Sequence, residues 1–261
     1  MAPHKRNTQL RVVKHNRPQL APPVLLCDEK LHKRLDNYPL TSLMNKAFSA
    51  LILGRAGTGK TSLLVMLLTN YHLYRQVFDR IYAFIPSNSR ASLKDDIFSL
   101  LPEDQVFDQL NLTNLQEAFH GAEELSRKGK KTLIVFDDVQ QFFKGECEGF
   151  ITHMINNRRH NKLSMIFLAQ SYKKVPRMCR LAMTDLFCFR LSRSDLDDIR
   201  TELVDIDEET WDKIVRSYRI RVRTDQRLYM YLNVASSRVF FGWDEIQYDE
   251  EDDLNELQVE K

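Results

Sequence analysis

No apolar run in this sequence approaches the length of a membrane span, so nothing in it predicts one. The basic N-terminus lacks the apolar segment of a secretory signal. Cysteine is scarce: Cys27, Cys147, Cys179 and Cys188, with no C-x-x-C pair and no histidine spacing to complete a zinc site. These residues read as reduced thiols of an intracellular protein. Net charge is also small, since 38 Lys and Arg against 36 Asp and Glu leave +2, which by itself selects no class of partner. Its distribution is asymmetric between the two ends. Residues 1–20 carry Lys5, Arg6, Arg11, Lys14 and Arg17 without an acid, and the end carries Asp249, Glu250, Glu251, Asp252, Asp253, Glu256 and Glu260. The expected organisation is a flexible basic arm over 1–23, one domain over 24–245 and an acidic tail over 246–261. Arm and tail read equally well as interaction segments or as solvated ends.

What is present centres on Ala47 to Leu68. Ala47–Leu53 is an apolar run ending at a glycine, as a buried strand would. Gly54-Arg55-Ala56-Gly57-Thr58-Gly59-Lys60-Thr61 follows and fits G-x-x-x-x-G-K-[ST] at every fixed position. Ser62–Leu73 then reads as a helix. Glycines let the backbone close around a phosphate chain, and the turn offers successive N–H groups to it. The helix points its positive end at the same charge. The expected nucleotide contacts are Gly54, Arg55, Ala56, Gly57, Thr58, Gly59, Lys60, Thr61 and Ser62. Lys60 reaches the β- and γ-phosphates, and Thr61 is placed to ligate Mg²⁺. ATP with Mg²⁺ is the expected ligand.

Further apolar runs follow. Arg80–Ile85 reads as a second strand stopped by Pro86-Ser87-Asn88-Ser89, and Asn114–Arg127 reads as a helix with Leu115, Ala118, Phe119, Ala122 and Leu125 on one face. Thr132–Phe136 predicts a third strand, buried on both faces and ending in Asp137 and Asp138. Open α/β sheets bind ligands at the carboxyl ends of their strands, so Asp137 is expected beside Thr61 on the metal. Asp138 is expected to polarise the attacking water. A fourth strand, Leu163–Ala169, ends at Gln170, whose amide can bond both the γ-phosphate and that water. Lys173, Lys174, Arg177 and Arg180 form a basic stretch after it. Asp185–Leu191 is the fifth strand, Ser194–Leu203 a helix, and Arg227–Tyr231 with Arg238–Trp243 a terminal hairpin. A short helix is expected around Glu29–Leu35, over the sheet edge or against a neighbouring subunit. The fold class is α/β: a P-loop NTPase with a mostly parallel five-stranded core, flanking helices and a C-terminal β-hairpin.

The run from Asn156 to Tyr172, NNRRHNKLSMIFLAQSY, resembles the poxvirus-type genome-packaging ATPases of large DNA viruses and virophages, within the FtsK/HerA-like DNA pumps. The resemblance covers about residues 45 to 245. It implies strand order 5-1-4-3-2 and a homo-oligomeric ring, usually a hexamer, with ATP between subunits. It also implies an arginine before the fourth strand that reaches a neighbour's nucleotide. Arg159 stands at the matching distance from Gln170, with Arg158 as alternate; either also suits a helix C-terminus. Many related motors carry Glu at the position of Asp138, and the shorter aspartate changes the geometry around the water.

The function this implies is an ATP-driven double-stranded DNA translocase that loads a viral genome into its capsid. Its DNA contacts would be non-sequence-specific, with the cations at 173–180 as pore candidates or an ordinary solvated face. A capsid or portal-like partner is implied, in the host cell or associated with the virion. Two alternatives stand beside it. One is a DNA-stimulated helicase sharing every catalytic residue; the other is a nucleotide-gated scaffold with negligible turnover.

Overall fold

A computed structural model of the protein describes residues 29–86, 97–139 and 143–247. The expected arm, nearly all of the acidic tail, Cys27 and Ser87–Ser89 lie outside the described residues. Among the described residues the strands form a single sheet. Its five long parallel strands are β2 (Arg80–Phe84), β4 (Thr132–Asp137), β5 (Leu163–Ala169), β1 (Ser49–Gly54) and β6 (Asp185–Phe189). In that sequence they reproduce the order 5-1-4-3-2 read from the other side. β1, β4, β5 and β6 are buried at every position, which explains their unbroken apolar runs: a parallel strand covered on both faces has no solvent side to encode.

Two additions extend this core. A two-residue strand, β3 (Val106–Phe107), pairs with β2 at one edge. At the other, β7 (Met230–Asn233), β8 (Arg238–Phe241) and β9 (Asp244–Ile246) run antiparallel. The expected hairpin is therefore present but starts later and gains a third strand. Its turn is held by Asn233, whose side-chain oxygen accepts from the Ser236 N–H at 3.1 Å and hydroxyl at 2.7 Å.

Helices cover both faces. On one lie a short 3-10 helix (Lys33–Asn37), α1 (Pro39–Leu43) and α2 (Lys60–Thr69), whose Leu35, Leu40, Leu63, Leu64 and Leu67 share a cluster with Ile52 and Leu168. The expected helix at 29–35 thus begins later and packs on the sheet face within its own subunit, because Leu31, Leu35 and Leu40 have apolar partners there. α2 ends at Thr69, short of Leu73: the side-chain oxygen of Asn70 accepts from the His72 N–H at 2.8 Å and turns the chain.

The other face carries α3 (Leu112–Arg127), α4 (Glu146–Asn157), α5 (Arg177–Leu181), α6 (Arg193–Leu203) and α7 (Glu208–Thr224). Leu115, Ala118, Phe119 and Ala122 are the buried face of α3, as their spacing predicts. α6 starts before Ser194, because Ser192 is the cap and accepts from the Asp195 N–H at 3.0 Å. α7 corresponds to no element expected above. Its Trp211, Ile214, Val215 and Tyr218 nevertheless recur at helical spacing and are buried.

Candidate active site

The phosphate-loop segment lies between β1 and α2, in the middle of the sheet. Gly54 is required by close approach: a Cβ there would fall 2.6 Å from the Thr58 hydroxyl oxygen and 2.7 Å from the Phe189 Cβ. Gly57 and Gly59 need positive φ, at 74° and 109°. Gly59 also caps α2 without a side-chain bond, so the first amides of the helix remain directed into the loop. Thr58 pins the turn by donating to the Arg55 carbonyl at 2.8 Å. The Lys60 ammonium donates to the Gly54 and Arg55 carbonyls at 2.7 and 3.2 Å. Burial lowers its proton affinity, while the charges of Asp137 and Asp138 act in the opposite direction.

Those charges come from β4, two strands from β1, with β5 between them. Asp137 is the last residue of β4, opposite Leu168 of β5, and is only 7% exposed. Burial, then the neighbouring Asp138, push its pKa up to about 6, against the pull of Lys60. Asp138 is exposed and adopts φ 54°, a left-handed conformation that an aspartate tolerates and that turns the chain sharply out of the strand. Gln170, just after β5, donates from its amide to Asp138 at 3.4 Å. Lys60, Asp137, Asp138 and Gln170 therefore meet at the carboxyl edge of the sheet.

The donor set suits a hard cation with a phosphate ligand. Among the described residues no group of three or more His, Cys, Asp or Glu can enclose a metal. One carboxylate (Asp137) and one hydroxyl (Thr61) match Mg²⁺, which commonly keeps waters and substrate phosphates in its shell.

Arg158 and Arg159 are not brought to this site. They precede β5, so its seven residues separate them from Gln170 by about 20 Å. Arg158 is tied to its own subunit: its guanidinium donates to the Ile155 carbonyl at 2.9 Å, and among the described residues its buried Nε has no hydrogen-bond partner. Burial, then Arg159, lower its proton affinity against the attraction of Asp185. Arg159 is half-buried at the same edge.

The four cations of the stretch after β5 differ in their surroundings. Arg180 is mostly buried and already engaged within its own subunit. It grips Glu202 with two bonds of 2.9 and 2.8 Å and lies 4.8 Å over the Tyr172 ring. Lys173 pairs with Asp198 at 2.8 Å and Arg177 with Glu202 at 3.8 Å. Among the described residues Lys174 alone of the four has no ion pair.

Three residues not expected from the sequence face the loop. A cleft of about 580 Å³ is lined by Ala56–Ser62 together with Arg190, Gln226 and Arg227. Arg190 directly follows β6, so the strand-end rule that found Asp137 also applies to it. Gln226 and Arg227 follow α7, whose helical period lies among charged positions.

With this geometry in hand, comparisons with known proteins become informative. The genome packaging NTPase B204 of Sulfolobus turreted icosahedral virus 2, solved in complex with ATP-gammaS, superposes with a TM-score of 0.54 at 15% identity, covering 76% of this chain and 98% of that one. The DNA-packaging ATPase B204 of Sulfolobus Turreted Icosahedral Virus gives 0.55 at 14% identity over 77% and 98%. These likenesses show a shared fold. In sequence, the DNA packaging protein OPG160 of Vaccinia virus (strain Western Reserve) is 25% identical over 162 residues, 60% of this chain and 58% of that protein. Its Monkeypox virus counterpart matches equally over 53% of its length. The match thus spans little more than half of these relatives. The model of the family described as Poxvirus A32 protein matches residues 36–260. This chain belongs to the poxvirus A32 protein family.

Proposed function

We propose that this protein is an ATP-hydrolysing double-stranded DNA translocase that packages a viral genome into its capsid. The observation that carries the reading is the meeting of Lys60, Asp137, Asp138 and Gln170 beside a glycine loop of phosphate-binding form. The relatives' DNA-packaging descriptions support the same reading.

The loop amides of 55–62, Lys60, Thr61 and Asp137 would hold ATP and Mg²⁺. When bound, they supply an electrophilic γ-phosphate and the free energy of its release. Asp138 accepts a proton from water, and the Gln170 amide fixes that water and senses the γ-position. Arg159 lies on the far edge of its own sheet, so it serves only a neighbouring subunit, whose transition-state charge its planar fork would meet. A homo-oligomeric ring follows from that division of labour. DNA would be held through its phosphates, with Lys174 the candidate contact. Capsid or virion association, in the infected cell, belongs to the same reading.

A complementation assay tests it. Lys60→Ala is expected to abolish hydrolysis, and Arg159→Ala to abolish it while retaining ATP binding. Mixing the two dead variants should restore turnover, because each supplies what the other lacks. Normal turnover by Arg159→Ala alone removes the arginine assignment. With ATP, movement along duplex DNA without strand separation is expected; unwinding of a forked substrate would instead favour a helicase.

A further inference from the structure

The phosphate loop has two unlike flanks. β5 and β4 on one side deliver Gln170, Asp137 and Asp138. β6 and β7 on the other deliver Arg190 and the turn bearing Gln226 and Arg227, and the open cleft lies on this second side. Neighbouring strands are about 4.8 Å apart, so Arg190 and Gln170 stand one strand away from the loop in opposite directions. A triphosphate lying along the loop has its γ-end at the carboxylates. Its nucleoside must leave toward β6 and β7.

We propose that Arg190, Gln226 and Arg227 form the nucleoside-side wall of the site, binding the α-phosphate, ribose and base of a nucleoside triphosphate. The proposal rests on the nucleotide reading above. The chemistry of each group suits a different part. Arg190 stands nearest the loop, where an anionic α-phosphate would lie. Gln226 offers a donor and an acceptor to hydroxyls or to a base edge. Arg227 presents a planar cation able to stack on a base. Among the described residues neither guanidinium forms an ion pair, so both charges remain available to an anion.

The wall is a built structure. The buried Tyr218 hydroxyl donates toward the Cys188 and Leu228 carbonyls, at 2.8 and 3.1 Å, and accepts from the Arg190 N–H at 3.2 Å. One side chain of α7 thereby ties the end of β6 to the segment entering β7. Arg190 adopts φ 44° and donates to the Val222 carbonyl at 3.2 Å. The Asp225 side chain accepts from the Arg227 N–H at 2.9 Å and fixes the turn.

The test compares MgATP with magnesium tripolyphosphate, which has the phosphates and no nucleoside, by calorimetry on the full chain. The wild type should bind ATP more tightly than tripolyphosphate. The double variant Gln226→Ala/Arg227→Ala, both exposed positions, should weaken ATP by about tenfold or more while changing tripolyphosphate less than about twofold. Arg190→Ala should weaken both, and Lys60→Ala should weaken both more strongly. Wild-type ATP affinity in the double variant overturns the proposal, as does an equal loss for the two ligands. Wild-type protein that binds neither ligand would overturn the nucleotide reading itself, a failure distinguishable from that of the wall.

Discussion

Two aspartates buried at opposite edges of one sheet have opposite surroundings. Asp185, 1% exposed, opens β6 at the amino edge and accepts from the Tyr231 hydroxyl at 2.6 Å, the Asn233 amide at 3.0 Å and the Thr184 hydroxyl at 2.6 Å. Burial still raises its proton affinity, but those bonds and the charge of Arg158 oppose the rise. Asp137, 7% exposed, closes β4 at the carboxyl edge, where among the described residues no hydrogen bond offsets burial and Asp138 adds repulsion. Among the described residues it is Lys60 that counters them. A buried charge that serves the fold is surrounded by dipoles. One that is to hold a cation, the role proposed for Asp137, lacks them until its ligand arrives, and the fold bears that strain.

The sharpest test is Asp137→Asn. Hydrolysis should fall on the order of 10²–10³-fold or more, as for loss of other charge-stabilising groups. Stability should move the opposite way. The folded pKa, about 6, lies above the ordinary aspartate value of 3.8 that holds in the unfolded chain. Between those values the folded state holds more protons, so stability falls as pH rises through that window and the penalty is complete above it. At pH 7.5 the variant should therefore be more stable than wild type by up to about 3 kcal/mol, an advantage that closes near pH 4. Urea unfolding at both pH values measures it. A variant less stable at pH 7.5 would mean that Asp137 has structural partners as Asp185 does.

Asp185→Ala probes the other edge. Removing the acceptor strands two buried donors, on Tyr231 and Asn233, and should cost about 3 kcal/mol. For a domain of this size the melting midpoint should drop by roughly 6–12 °C. Hydrolysis per folded molecule should stay within about twofold of wild type, because the proposed site lies across the sheet, about 20 Å away. A large loss of turnover in well-folded protein would show that the two edges are coupled.

The carboxyl edge was legible in the sequence and the amino edge was not. Gly54, Gly57, Gly59 and Lys60 are bound to one another by local geometry, so their spacing is a signature. Asp137 and Gln170 each end an apolar run, and the strand-end rule places them. Asp185, Tyr231 and Asn233 meet only because β7 runs antiparallel to β6, a long-range pairing that no local spacing records. Arg180 looked like one member of a basic stretch; its partner Glu202 lies 22 residues away on α6. α7 carried a readable period, yet its charged positions conceal it beside the apolar strands, and with it went Gln226 and Arg227.

The same distinction between satisfied and unsatisfied charge extends to the cations after β5, with a smaller effect. Arg180 is engaged on three sides: by Glu202, by the Tyr172 ring and by the Val175 carbonyl at 3.2 Å. Arg180→Met should cost about 2 kcal/mol, the worth of charge-assisted hydrogen bonds with little solvent around them. It should leave the salt dependence of duplex binding unchanged. Lys174→Ala should do the reverse, with no measurable loss of stability. If Lys174 neutralises one phosphate, the slope of log affinity against log salt becomes shallower by about 0.9. A salt titration of fluorescent duplex binding reads both slopes. A shallower slope in Arg180→Met would mean that the Glu202 pair opens on DNA, because a guanidinium already neutralised by its carboxylate has no counterion to release.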